Sequence, residues 1–237
     1  MKPIYTPSGK AKEYGDYAIN IYTGCPHRCY YCFAPSVLRK DREDFHSHIE
    51  PRKGIVEAVK KQLESEKITD KLIHLCFTCD PYPRGYDCDA TREIIRAIKA
   101  TGNHVQILTK NGEYAESDFD LLDGNDWFGV TITGSRPGWE WAIEPPFIDT
   151  VTGRTNALTE AHRLGVKTWV SYEPVLNVRY VIDHIKSTPW VDKIKIGKLN
   201  YHESNINWHD FGITIEAICK DLGRNYYIKE SLRNEMK

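Results

Sequence analysis

Apolar residues along this chain recur with two periods, and the switch between them repeats from one end to the other. In 72–78, Ile73, Leu75 and Phe77 alternate with His74, Cys76 and Thr78, the period of a strand. Ile55, Val56, Val59 and Leu63, and later Thr91, Ile94, Ile95 and Ile98, fall at helical spacing instead. The same reading predicts strands at 18–23, 72–78, 104–109, 127–133, 167–172 and 193–196, with a short terminal strand at 226–228. Helices are predicted between them, near 114–122, 156–164, 178–185 and 211–222. Strand–helix alternation of this kind means parallel strands joined by helical crossovers. About six units predict an α/β fold, a partial (β/α)6 barrel of TIM type, as a single domain over 1–237. An open doubly wound sheet is the alternative.

Strands covered on both faces are expected to be apolar throughout. Here one parity is polar in every strand. It places Asn20, Tyr22, His74, Cys76, Thr78, Gln106, Thr131, Thr133, Ser171, Glu173 and Lys195 inward, with Lys110 just beyond the third strand. That pattern predicts a hydrated ligand cavity; a solvated sheet face is the simpler reading.

Composition narrows the function class. With 32 basic and 33 acidic residues the net charge is −1, which argues against coating nucleic acid by bulk electrostatics and leaves room for a local basic groove. No stretch has the apolar length of a membrane span, and the first residues lack a secretory core, so a cytoplasmic protein is expected. Seven cysteines without an export signal point to thiols or metal ligands.

Three of the seven lie in the loop after the first strand, at 24–33, as Cys25, Cys29 and Cys32 in a Cys-x3-Cys-x2-Cys pattern. Three thiolates can hold three irons of a [4Fe–4S] cubane and leave the fourth open to an exogenous chelate. S-adenosylmethionine (SAM) offers such a chelate through its amino and carboxylate groups. Structural zinc, with His27 or a distant cysteine as fourth ligand, and a four-cysteine electron-transfer cluster using Cys76 or Cys79 are the non-enzymatic alternatives. The stretch 134–156 carries Arg136, Trp139, Trp141, Pro145, Pro146 and Phe147, a length unusual for a loop without function. Its aromatics would stack on a nucleobase, pack as a lid or contact a partner protein.

The run Tyr22-Thr-Gly-Cys25 through Cys32-Phe33 resembles the cluster loop of the radical SAM superfamily in its spore photoproduct lyase-like form. Pro7 to Tyr14, Thr78-Cys79-Asp80-Pro81-Tyr82, Leu108-Thr-Lys-Asn111 and Glu173-Pro-Val175 resemble further segments of that group, in order along nearly the whole chain. The resemblance implies reductive cleavage of SAM to a 5′-deoxyadenosyl radical that abstracts hydrogen from a substrate. It implies an external electron donor of flavodoxin or ferredoxin type, and a nucleic-acid lesion or modified base as substrate, hence DNA or a nucleotide as partner. A peptide or small metabolite is the second substrate reading. Thr78 and Asp80 stand where many members carry Gly-Gly-Glu; with Lys110 and Glu173 they are the candidate cofactor contacts. Cys76, or its rival Cys79, is the candidate donor that returns a hydrogen atom to the product, and core filling is the plain alternative for either. A second cluster on Cys76, Cys79 and Cys88 matches no known spacing.

Overall fold

In a computed structural model that describes residues 2–134 and 147–237, seven parallel strands pair in sequence order, β1 (Tyr17–Ile19), β2 (Leu72–Leu75), β3 (His104–Thr109), β4 (Trp127–Thr131), β5 (Lys167–Tyr172), β6 (Lys193–Ile196) and β7 (Tyr226–Ile228). The sheet curls into a partial TIM barrel, as the alternation implies, with the terminal strand paired as a seventh. Two short helices follow β1, α1 (Ala34–Leu38) and α2 (Arg42–Ser47). The crossovers are α3 (Ile55–Ser65), α4 (Asp89–Ala100), α5 (Gly112–Ala115) running into a 3-10 turn (Glu116–Leu121), α6 (Val151–Arg163), α7 (Val178–Ser187) and α8 (Trp208–Asp221). Helix α9 (Glu230–Arg233) follows β7.

The convex face holds the main core. Ile73, Leu75, Val105, Ile107, Phe128, Val130, Val170, Ile194 and Ile196 are all buried, in one cluster with Val59, Ile94, Ile98, Leu158, Val181 and Ile215 from the helices. Removing such side chains from water is the largest favourable contribution to the fold. The opposite parity is polar, and its members face one another in register. His74 sits beside Gln106, with Nδ1 and Nε2 3.0 Å apart, and Ser171 is paired with Lys195. Gly129 is paired with Trp169, whose indole lies so close that a Cβ at 129 would stand 2.2 Å from Nε1. Only glycine there lets the ring lie over β4 and donate to the Ile107 carbonyl at 3.0 Å.

This polar face is not simply a hydrated cavity. A 3-10 turn (Gly9–Glu13) leads Tyr14 onto it, where the phenol packs against His74, Phe77 and Trp169. The ammonium groups of Lys195 and Lys229 each stand 4.2 Å from the Tyr14 ring centroid. The Tyr14 hydroxyl donates to Glu173 Oε2 at 2.6 Å, and Lys229 Nζ pairs with the same oxygen at 3.0 Å. The strap thus covers the concave face beside β5 and β7, pinned just beyond their C-terminal ends, and the candidate recess is the rim next to the cysteine loop.

Three strand predictions overshoot: β1 stops at Ile19, β2 at Leu75 and β4 at Thr131. Asn20 Oδ1 accepts the amides of Phe77 at 2.8 Å and Thr78 at 2.9 Å, so these groups leave the ladder and β2 stops at Leu75. The alternation breaks with it. Phe77 stacks on His74 on the concave face instead of facing the helices, and Cys76 enters the apolar core cluster. Tyr22, expected inward, turns away and meets Thr91 Oγ1 at 3.0 Å beside the start of α4. Trp139, Trp141, Pro145, Pro146 and Arg136 lie outside the described residues, whereas Phe147 is exposed.

Candidate active site

Parallel strands bring all their C-terminal ends to one rim, and the cysteine loop lies on it. Cys25 and Cys29 are buried, Cys32 is half-buried, and all three are free thiols. The loop is held from one side by α2. The Arg42 guanidinium donates to the carbonyls of Cys29 at 2.5 Å, Tyr30 at 2.9 Å and Cys32 at 3.2 Å. The Cys25 amide donates to Phe45 O at 3.2 Å, and His46 Nδ1 lies 2.7 Å from the Cys25 carbonyl. Gly24 makes this docking feasible, because a Cβ there would stand 2.2 Å from the Phe45 carbonyl oxygen. Asp41 caps α2 by accepting the Asp44 amide at 2.9 Å.

The donor set fits an iron–sulfur cluster better than zinc. Among the described residues, His104, Asp123 and Asp126 form the trio of His, Cys, Asp or Glu whose ligand atoms all lie within 4.8 Å of one another, so the loop thiols are spaced more widely. Tetrahedral zinc at about 2.3 Å from each sulfur would draw them to roughly 3.8 Å. The trio itself is filled by Lys99, whose ammonium lies 2.6 Å from Asp123 and 2.5 Å from Asp126. Burial pushes the Cys25 thiol up, helped by Asp80 and Cys29. Burial raises Cys32 as well, with Arg42 and Lys110 acting against it.

The other candidates divide into two groups. Thr78 is buried, and its Oγ1 has no hydrogen-bond partner, which leaves a polar atom free for a ligand at the end of β2. Lys110 reaches across the rim and donates to Tyr31 Oη at 2.7 Å, which brings it beside the loop. Asp80 and Glu173, by contrast, are engaged by the chain itself. Asp80 accepts from Thr109 Oγ1 at 2.6 Å and from the amides of Tyr82 and Lys110 at 2.9 Å, tying the exits of β2 and β3 together. Burial raises its carboxyl to about 6 despite these bonds. Glu173 is held by Tyr14 and Lys229, and a Cβ at Gly197 would stand 2.8 Å from its carboxyl carbon.

Cys76 and Cys79 come together at the end of β2, whereas Cys88 stands apart at the start of α4 and bonds the Tyr86 carbonyl at 3.6 Å. Sequence reasoning missed several residues that build the site. Arg42 is one, and Asn111 is another: its Nδ2 donates to His27 Nε2 at 2.8 Å, turning Nδ1 of that imidazole toward Asp80 Oδ2 at 3.6 Å. Tyr14 and Lys229 were missed because their partners are remote in sequence; a lysine after the apolar run of β7 was the available signal.

A family model described as the radical SAM superfamily matches residues 19–185. An uncharacterized protein of Mycobacterium tuberculosis is 31% identical over 111 residues, which are 45% of this chain and 32% of that protein, less than half of its length. An uncharacterized protein of Methanocaldococcus jannaschii is 26% identical over 194 residues, 78% of this chain and 70% of its own. Among solved structures, spore photoproduct lyase complexed with dinucleoside spore photoproduct superposes with a TM-score of 0.67 at 14% identity, covering 94% of this chain and 79% of that one. SuiB of Streptococcus suis bound to its precursor peptide SuiA gives 0.65 at 11% identity, covering 92% of this chain and 50% of that one. These two likenesses show the fold.

Proposed function

Because this chain belongs to the radical SAM superfamily, we propose that it holds a [4Fe–4S] cluster on Cys25, Cys29 and Cys32 and uses SAM to abstract hydrogen from a substrate. That it is an enzyme of radical SAM type follows from the family and the fold. The observation that carries the finer reading is the loop of three free thiols at the strand C-termini, clamped by Arg42 and faced by Lys110. When bound, cluster and SAM supply an electron and a carbon radical; the chain supplies orientation and exclusion of water. Lys110 is placed for the SAM carboxylate and Thr78 for a hydrogen bond to SAM. Asp80 acts as a positioning residue that fixes both, and Glu173 sets the floor of the recess through Tyr14. Cys76 or Cys79 returns a hydrogen atom to the product radical, since the S–H bond is weak. A low-potential carrier of flavodoxin or ferredoxin type reduces the cluster.

A nucleic-acid lesion or modified base is the substrate class we favour. Support comes from the structural neighbour that binds a dinucleoside, and from exposed Tyr30 and Tyr201 near the recess, with Lys10 over the Tyr201 ring at 4.8 Å. A peptide is the second reading, supported by the neighbour bound to its precursor peptide. Anaerobic reconstitution tests the core of the proposal. About four irons and reductive cleavage of SAM to 5′-deoxyadenosine are expected. Retention of the cluster after Cys25, Cys29 and Cys32 are all changed to Ala would overturn it. Deuterium transfer from labelled oligonucleotide or peptide into 5′-deoxyadenosine separates the two substrate readings.

A further inference from the structure

Cys76-Phe-Thr-Cys79 forms a turn whose two central amides converge on one acceptor, Asn20 Oδ1, at 2.8 and 2.9 Å. That convergence curls the turn and brings its two free thiols side by side. Cys79 is the outer of the two, half-buried, while Cys76 is 6% exposed. The Tyr22 amide donates to Cys79 Sγ at 3.4 Å, three residues before the first cysteine of the loop. Two thiols separated by two residues on a tight turn, one accessible and one behind it, are the arrangement of a dithiol that closes to a disulfide.

We propose that Cys76 and Cys79 form a dithiol–disulfide couple that exchanges with small disulfides in solution, on the strand exit that supports the cysteine loop. Cys79 is the more exposed thiol and its sulfur accepts the Tyr22 amide, a bond that favours the thiolate against burial, so Cys79 is the attacking group. Its thiolate attacks one sulfur of an external disulfide, whose S–S bond breaks and whose other half leaves as a thiolate. Cys76 then loses its proton to water and attacks Cys79 of the mixed disulfide, expelling the second external thiol. Two protein thiols are oxidised, one external disulfide is reduced to two thiols, and one electron pair is transferred. Closure takes the Cys79 sulfur out of thiolate form and so weakens its bond to the Tyr22 amide, which links the couple to the strand that leads into the loop.

The test uses cluster-loaded protein equilibrated anaerobically in mixtures of reduced and oxidised glutathione, quenched with an alkylating agent and mapped by peptide mass. Cys76 and Cys79 are expected to lose alkylation together, along a single two-electron curve, and to yield a cross-linked peptide. At neutral pH, limited iodoacetamide should label Cys79 at least about tenfold faster than Cys76. Two thiols that titrate independently, or that end only as separate glutathione adducts, would overturn the proposal. So would equal labelling rates. Iron content and SAM cleavage, measured on the same samples, report on the radical reading separately, and the wild-type chain suffices for every arm.

Discussion

At the scale of single residues, the informative groups are those whose chemistry is left open by their own surroundings. Thr78 is buried with an unpartnered hydroxyl, while its amide is committed to Asn20. A buried polar atom without a partner is costly unless something else supplies one. If that something is SAM, Thr78→Val should weaken SAM binding by about fivefold to tenfold, the worth of one neutral hydrogen bond, and Thr78→Ser should restore it. Iron content should be unchanged in both variants. Equal SAM affinity in Thr78→Val, measured by equilibrium dialysis on the reconstituted protein, would remove Thr78 from the site. Asp80 and Glu173 look alike in sequence as inward carboxylates at strand ends, yet the fold uses both to fasten its own parts. Residue type announced their importance; only the partners distinguish fastening from ligand contact.

At the scale of elements, α2 serves as the support of the cysteine loop. Arg42 donates to three loop carbonyls, all near the two thiols that follow Cys25. Arg42→Ala should lower iron loading at least about threefold and leave the far-ultraviolet circular dichroism unchanged, because the loss falls on a loop already outside the sheet; hydrogen bonds to a charged donor are worth about 1.5–3 kcal/mol. Full iron loading in that variant would show that the loop holds its shape unaided. The strap is the second such element. Replacing Lys229 by Met leaves Glu173 and Glu13 without their nearest buried cation and should cost about 3–5 kcal/mol in urea unfolding. Adding Glu173→Gln should recover part of that loss, and a purely additive pair would show that the ion pair does not couple them.

These two elements also show what the sequence could convey. Strands β3, β5 and β6 are where the apolar period places them, because their alternation runs unbroken to the strand end. β2 ends early because one asparagine side chain redirects two amides, a contact across 57 and 58 residues that no local pattern encodes. The cysteine loop was legible because its chemistry is packed into eight residues. The strap was not, since 9–14 has no period and the groups that hold its polar ends, Glu173 and Tyr227, stand more than 150 residues away.

At the scale of the whole molecule, two buried histidines, His74 on the concave face and His184 on α7, make the protein sensitive to acid. Burial, with Lys195 nearby, lowers His74 to about 3, and burial, with Arg224 nearby, lowers His184 to about 4. Both imidazoles ordinarily titrate near 6.5. Between these values the unfolded chain binds the proton and the folded chain does not, so stability is full above about 6.5 and falls as pH drops toward 4 and 3. Each histidine contributes up to about 1.4 kcal/mol per pH unit in its window. His184→Gln, which keeps a partner for the Tyr172 hydroxyl, should flatten the slope of unfolding free energy between pH 6.5 and 4. An unchanged slope would mean that His184 is protonated in the folded state. The strap sets a second property of the whole chain, one of time. Glu13 accepts from Tyr227 Oη at 2.9 Å and from the Glu230 amide at 3.0 Å, so this segment must wait on the ribosome for one made more than 200 residues later. At roughly 5–20 residues per second that wait lasts on the order of ten to forty seconds. During it Glu13 and Glu173 stand in water without Lys229, the cation that later joins them.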